Sequence, residues 1–147
     1  MGASHALRGM IEWLLGKDKE AEKMRAEFYF LIVPMLNPDG VFMGHNRMDS
    51  LGQNLNRFYH VPDLELQPSC YAVKAIVELT RRQIFAFFDL HGHANKKSCF
   101  LFGNHIPAPR LQAESVLLAK HLSSICEHLE FKSCNFSKRQ MSTKDKN

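Results

Sequence analysis

Hydrophobic positions follow two patterns along this chain, helical spacing and continuous apolar runs, and the two patterns alternate. Apolar residues at helical spacing predict helices over 3–15, 69–83 and 109–129. Continuous apolar runs bounded by turn residues predict buried strands at 28–33 and 84–90, with a short third strand at 99–102. Helices that alternate with apolar strands predict an α/β fold, with a mixed, mostly parallel sheet flanked by helices.

The segments between these elements differ in character. Ser4 is placed to cap the first helix, and the charged stretch 17–25 is a connector with room for a helical turn. Asn37-Pro38-Asp39-Gly40 has the composition of a tight turn. The stretch 41–68 has little periodicity and is rich in Gly, Asn, Asp and Pro. Because long irregular segments are usually functional or disordered, and this one carries a polar motif, we predict that it is functional.

Length and composition are typical of one soluble globular domain. The chain has 147 residues, 45% hydrophobic and 23% charged, so we expect one domain over 1–147 with a frayed tail at 138–147. No apolar run approaches the roughly 20 residues of a membrane span, and the N-terminus lacks the pattern of a secretory signal. These features predict no membrane partner.

Net charge indicates which kinds of partner to expect, and the cysteines indicate the redox state of the compartment. The net charge is +4, and the basic pairs are scattered without interleaved aromatic residues, so a nucleic-acid partner is not expected. An acidic protein is the better electrostatic match. The four cysteines form no C-x-x-C pair, which favours free thiols in a reducing cytosol.

Three polar groups are candidates for chemistry. His91 follows the apolar run 84–90, where it is either a zinc ligand whose second ring nitrogen is held by an acceptor or a hydrogen-bonded core histidine. Asn56 and Arg57 either bind a carboxylate or stabilise the loop that carries them. Arg47 would supply a second positive charge.

The order and spacing of four segments resemble the cytosolic carboxypeptidase family of zinc metallocarboxypeptidases. The segments are PMLNPDGV at 34–41, GHNR at 44–47, NLNR at 54–57 and DLHGHA at 89–94. Further similarity continues through 96–104 and 134–137, so the resemblance covers nearly the whole chain and implies a partial zinc-carboxypeptidase fold. The 54–57 segment and the segment at Cys134 are most similar to the subtype that removes branch-point glutamates from tubulin.

The resemblance implies a role for each matching residue. His91 matches the third zinc ligand, and Asn56 and Arg57 match the pair that grips the terminal carboxylate of the substrate. Arg47 matches the arginine that polarises the scissile carbonyl and stabilises the oxyanion. In the family, one zinc ion activates water and a separate glutamate is the general base.

The same resemblance implies a biological setting and an incomplete site. The expected activity is removal of C-terminal or branch-point glutamate from tubulin or other polyglutamylated acidic proteins, in the cytoplasm and in association with microtubules. The family places an H-x-x-E zinc motif before the first helix and its base glutamate beyond the point that Asn147 reaches. We therefore expect a fragment that is inactive by itself, binds zinc weakly and exposes apolar sheet surface.

Two other functions are compatible with the same residues. An aspartoacylase-like amidohydrolase shares the fold and an Asn-Arg motif, but Asn37-Pro38-Asp39-Gly40 and the segment after His93 argue against it. A non-catalytic binder of acidic C-terminal tails would use Arg47, Asn56 and Arg57 to hold a carboxylate without chemistry.

Overall fold

The chain divides into two compact units, Met1–Gly92 and His93–Asn147, called here the N-terminal and C-terminal units. The computed structural model describes residues 2–93 and 96–139. Residues 140–147, most of the predicted frayed tail, and residues 94 and 95, after the predicted ligand motif, lie outside the described residues. That 1–147 forms one domain stays a prediction.

The three predicted helices are confirmed, with shifted ends. The α-helices are α1 (Gly2–Leu15), α2 (Lys19–Glu27), α3 (Pro38–Phe42), α4 (Pro68–Thr80) and α5 (Pro109–Ile125). Single 3₁₀ turns lie at Leu55–Arg57 and Phe131–Ser133. Because α1 begins at Gly2, Ser4 lies inside its first turn, and the prediction that Ser4 caps the helix is wrong.

The charged connector after α1 is a complete helix, where the sequence suggested only a turn. The side chain of Asp18 accepts hydrogen bonds from the backbone N–H groups of Glu20 and Ala21, which caps α2 at its N-terminus. Arg25 donates to the main-chain carbonyl of Leu14 at the end of α1. Ala21 and Leu14 are buried, so α1 and α2 pack as a pair.

The two long apolar runs approach each other but lie outside any strand. The rings of Phe28 and Phe85 are 5.0 Å apart between centroids. Tyr29 is fully exposed and Phe85 is 84% exposed, so the predicted burial of 28–33 and 84–90 is wrong in the described part of the chain. No neighbouring strand there covers them, and contiguous exposed apolar surface of this kind favours association with other surfaces.

Sheet-like pairing in the described ranges 2–93 and 96–139 is limited to two isolated bridges of the C-terminal unit. Cys99 pairs with Leu129, and Phe102 pairs with Asn135, both in the parallel sense. They lie at the ends of the short strand predicted at 99–102. The mostly parallel sheet beyond these two bridges stays a prediction.

Glu130 fastens the bridged segments of the C-terminal unit together. Its carboxylate accepts hydrogen bonds from Ser133 Oγ (2.6 Å) and Ser98 Oγ (3.0 Å), and its backbone N–H donates to Cys99 O (2.9 Å). α5 is less buried than its apolar spacing predicts. Ala119 is buried, but Leu117 is 62% exposed.

We expect the free energy of unfolding of the C-terminal unit to fall in acid because the carboxylate of Glu130 becomes protonated. Hydrogen bonds from Ser133 and Ser98, with the charges of Lys96 and Lys132, hold the pKa of Glu130 below its ordinary value. A carboxylate with a lowered folded-state pKa stabilises the fold above its unfolded-state pKa, and that contribution is lost as the pH falls through the folded-state pKa. Urea unfolding near pH 7 and near pH 3 should therefore show a smaller loss of stability in Glu130→Gln than in the wild type.

The control for that experiment is Glu127→Gln, which makes the same chemical change at an exposed carboxylate. The prediction would be contradicted if the wild type and Glu130→Gln lost the same free energy of unfolding from pH 7 to pH 3.

Candidate active site

Asn37 connects the start of α3 to the segment that carries Arg47. Its Oδ1 accepts the backbone N–H of Gly40 (3.0 Å), and its Nδ2 donates to the main-chain carbonyl of Met48 (3.0 Å). With Pro38 in the first helical position, the segment 37–40 is the N-cap and first turn of a short helix. The prediction of a tight turn at 37–40 is therefore corrected to a capped helix start.

Gly40 lies where two parts of the loop meet at close range. It is buried, and a Cβ atom added there would lie 2.7 Å from Asn37 Oδ1 and closer still to the main-chain oxygen of Met48. Gly44 has a φ of +72°, a conformation that other residues rarely adopt, and it turns the chain into His45. Glycine at 40 and 44 thus shapes the loop before Arg47.

Arg47 is exposed and lines an open surface depression of about 590 Å³ together with His45, Asn46 and Met48. The ring of His45 is fixed by its Nδ1, which lies 3.1 Å from the main-chain oxygen of Asp49. The guanidinium of Arg47 is therefore accessible to a ligand, and its backbone is fixed on both sides.

Asp49 joins the Arg47 segment to the next motif. Its buried carboxylate accepts the backbone N–H groups of Leu51 (2.9 Å) and Gln53 (2.7 Å), and its own N–H donates to the main-chain oxygen of Gln53. A buried carboxylate that accepts two backbone N–H groups shapes a local loop. Sequence reasoning missed Asp49, although an Asp among turn-forming residues is the usual signal for such a loop.

Asn56 and Arg57 lie in the 3₁₀ turn Leu55–Arg57. The side chain of Asn54 accepts the N–H of Asn56 (3.3 Å), and the N–H of Arg57 donates to the main-chain oxygen of Asn54 (2.9 Å). Arg57 Nη1 lies 3.4 Å from the main-chain oxygen of Asn56. Both residues are half-buried, and a guanidinium and an amide are the types of group that suit a carboxylate.

His91 is oriented by an acidic neighbour. Its Nδ1 lies 3.3 Å from both carboxylate oxygens of Asp89. Because a carboxylate only accepts, Nδ1 carries the proton in this contact and the lone pair of Nε2 is directed elsewhere. The His91 side chain is 57% exposed, which contradicts the core-histidine interpretation and fits that of a ligand.

Tyr59 lies two residues after the 3₁₀ turn Leu55–Arg57. It is half-buried, and burial, with smaller contributions from Cys70 and the charge of Asp89, raises the pKa of Tyr59 to about 12. Hydrogen bonds between Asp49 and Gln53 connect the segment of Arg47 to the segment of Asn56 and Arg57. His91 is linked to Asp89. His93 belongs to the C-terminal unit, where its ring lies 5.5 Å from that of Phe100.

The described residues do not complete a metal centre. Within residues 2–93 and 96–139, no group of three or more His, Cys, Asp or Glu side chains could hold a metal ion. A catalytic zinc needs three protein ligands and an open position. His91, oriented by Asp89, offers one of them, so these residues alone do not fit a zinc ion.

The sequence profile of the zinc carboxypeptidase family matches residues 1–124. The chain belongs to this family. It is 43% identical over 106 residues to cytosolic carboxypeptidase 6 of Caenorhabditis elegans, a match that covers 69% of the chain and 23% of the worm protein. It is 36% identical over 150 residues to cytosolic carboxypeptidase 4 of Mus musculus, covering 91% of the chain and 13% of the mouse protein.

A solved structure agrees with this zinc carboxypeptidase assignment. A metallo-carboxypeptidase from Burkholderia cenocepacia superposes with a TM-score of 0.79 at 25% identity, over 94% of the chain and 37% of the bacterial chain. The family resemblance and the zinc-carboxypeptidase type of fold are therefore confirmed, and the family implies zinc. The chain spans less than two fifths of the length of each of these relatives.

None of the helices in the part of the chain that the structure describes is long and apolar enough to cross a bilayer.

Proposed function

We propose that this protein acts in the removal of glutamate from the C-termini or branch points of acidic protein tails, such as those of tubulin. The observation that carries the proposal is the 3₁₀ turn Leu55–Arg57, which holds Asn56 and Arg57 in a chain of the zinc carboxypeptidase family. A carboxypeptidase must recognise the free carboxylate at the end of its substrate. A fixed amide and guanidinium meet that requirement, because a guanidinium binds a carboxylate through two parallel hydrogen bonds.

Arg47 serves the reacting carbonyl in this proposal. It is exposed in an open depression on a segment braced by Asn37 and Asp49, so its guanidinium can reach a ligand while its backbone stays in place. A preorganised positive charge beside the scissile carbonyl stabilises the negative charge that develops on oxygen, which is often the largest catalytic contribution at acyl-transfer sites.

In the proposal His91 would supply one zinc ligand, and Asp89, which lies beside its Nδ1, would leave Nε2 to bind the metal. The family's zinc, one ion, supplies Lewis-acid chemistry when it is bound. Because the described residues offer one ligand position, we expect the 147-residue chain alone to bind zinc weakly and to be inactive.

The setting in the proposal is the cytoplasm, with microtubules as one location of the substrate. Support comes from the names of the relatives, which are cytosolic carboxypeptidases, and from the +4 net charge, which suits an acidic partner. The proposal includes both C-terminal and branch-point glutamates, and the 54–57 segment resembles the branch-point subtype.

The test is glutamate release by the zinc-loaded protein, in a longer form that adds the family's H-x-x-E motif and base glutamate. We expect this form to release the last residue of a peptide that ends in Glu and to leave a matched peptide that ends in Leu intact, while the 147-residue chain releases neither. Equal cleavage of the two peptides by the longer form would overturn the glutamate preference, and cleavage of N-acyl aspartate alone would favour an amidohydrolase.

A second function, binding of acidic tails without catalysis, is favoured by a separate observation. The 3₁₀ turn that carries Asn56 and Arg57 is formed within the described residues, whereas a group of three metal-binding side chains is not. Salt-sensitive binding of glutamate-rich peptides by the longer zinc-loaded form, with no release of glutamate, would select this second function.

A further inference from the structure

One face of α4 is attached to the segment that carries Asn56 and Arg57. Gln67, which precedes the helix, and Cys70 and Lys74 within it are spaced i, i+3 and i+7, so they lie on the same side. Gln67 Nε2 donates to Gln53 Oε1 (2.5 Å), Cys70 Sγ donates to the main-chain oxygen of Leu55 (3.4 Å), and Lys74 Nζ donates to that of His60 (2.5 Å). We call these three side chains the α4 clamp.

Cys70 is the centre of the α4 clamp. It is fully buried, and burial raises the pKa of its thiol, which keeps the Sγ–H protonated and able to donate. The carbonyl of Leu55 that accepts this bond also accepts the N–H of Phe58 (3.1 Å). The thiol therefore contacts the carbonyl immediately before Asn56, inside the turn itself.

Gln67 fixes the entry to the turn. It is 3% exposed, and its side-chain amide is bonded at both ends: Nε2 donates to Gln53, and Oε1 accepts the backbone N–H of Asp63 (2.9 Å). The backbone N–H of Gln53 in turn donates to the carboxylate of Asp49. A buried amide with both ends satisfied is costly to displace, so the start of the turn is fixed relative to α4.

We propose that Cys70 and Gln67 are positioning residues that hold Asn56 and Arg57 in the geometry required to bind a substrate carboxylate. For its ligand, this inference rests on the proposed function. A 3₁₀ turn of three residues has few internal hydrogen bonds, so its geometry depends on what it is attached to. The hydrogen bonds from Cys70 and Gln67 supply such an attachment from the side of α4.

The first test measures amide hydrogen exchange in the 147-residue chain. The N–H groups of Arg57 and Phe58 are hydrogen-bonded within the turn and report its opening. In Cys70→Ala we expect both to exchange roughly tenfold faster, relative to amides in α1, because one buried hydrogen bond to the turn is lost. Cys70→Ser, which keeps a donor at the same position, should restore much of the protection.

Two controls separate positioning from loss of stability. Leu14→Ala removes a buried side chain in α1, so it destabilises the fold without touching the turn. Cys126→Ala makes the same chemical change at a half-buried cysteine of the C-terminal unit. If Arg57 and Phe58 exchange no faster in Cys70→Ala than in Leu14→Ala, each compared with the same amides of the wild type, the positioning role is overturned.

Gln67→Met gives a second route if Cys70→Ala does not fold. The substitution keeps the side-chain volume and removes both amide hydrogen bonds, so the same increase confined to Arg57 and Phe58 is expected. An unchanged turn in Gln67→Met would overturn the role of the α4 clamp.

The second test measures binding of a fluorescent peptide that ends in glutamate, as the free acid and as the C-terminal amide. Discrimination between acid and amide should fall severalfold in Cys70→Ala and stay intact in Leu14→Ala. If the wild-type chain does not discriminate, the carboxylate-binding function fails, while the exchange measurement still decides whether α4 positions the turn.

Discussion

We expect Gly40→Ala to lower the free energy of unfolding by about 2–4 kcal/mol. The added methyl group would overlap the side chain of Asn37 and the main-chain oxygen of Met48, and a backbone oxygen cannot rotate away. Overpacking of this kind costs about 1–3 kcal/mol, and weakening of the two hydrogen bonds of Asn37 adds about 1 kcal/mol in total. Urea unfolding followed by circular dichroism would measure the change.

Gly9→Ala is the matched control for Gly40→Ala. A Cβ atom at Gly9 would meet nothing within 4 Å, and the residue lies inside α1, where alanine is favoured over glycine by up to about 1 kcal/mol. The same substitution should therefore stabilise the chain at position 9 and destabilise it at position 40. Equal stability of Gly40→Ala and the wild type would mean that the loop between α3 and Met48 yields easily.

The helices of this chain could be predicted because their signals are local. Apolar spacing marks α1, α4 and α5, and each ends within a few residues of its predicted end. The full length of α2 is not predicted because the helix is too short and polar to show an apolar stripe. Its sequence signal is instead Asp18 at the N-cap, followed by acidic residues in the first turn. Asn37 and Pro38 mark the start of α3 in the same way. These residue types are favoured both in tight turns and at helix starts, so the sequence pattern alone predicts a turn there.

The sheet and the burial of the apolar runs are harder to predict from the sequence than the helices are. A strand is stabilised by its neighbours, so the run at 28–33 carries no local information about what covers it. In the described residues the run is exposed at Tyr29 and Leu31, although its sequence is typical of a buried strand. The preference of such residues for strands is a preference for a covered surface, which depends on the rest of the fold.

The sequence predicts which residue types belong to the candidate site, but not which residues of α4 contact that site. Motif spacing and the family resemblance predict Arg47, Asn56, Arg57 and His91 as site residues. In contrast, Cys70 and Gln67 lie in or beside a helix whose pattern indicates only packing. A buried cysteine is usually a small apolar side chain in a core. Only the distance from its sulfur to the Leu55 carbonyl indicates a role for Cys70 near the turn.

The second large effect is expected from Arg57→Ala. We expect the affinity of the 147-residue chain for a peptide ending in glutamate to fall roughly 10- to 100-fold, because hydrogen bonds to a charged carboxylate contribute about 1.5–3 kcal/mol and each 1.4 kcal/mol is tenfold in affinity. The preference for the free acid over the C-terminal amide should be lost. Fluorescence anisotropy with both peptides would measure the two effects together.

Arg57→Lys and Arg82→Ala separate the causes of that loss. Lysine keeps the charge without the planar fork, so Arg57→Lys should bind the free acid with intermediate affinity. Arg82 is an exposed arginine just beyond α4, and its replacement makes the same change in net charge away from the turn. If Arg82→Ala weakens binding as much as Arg57→Ala, attraction by net charge explains the affinity, and the turn at Leu55–Arg57 does not recognise the carboxylate. A loss confined to Arg57, with discrimination against the amide abolished, requires that the guanidinium contacts the terminal carboxylate itself.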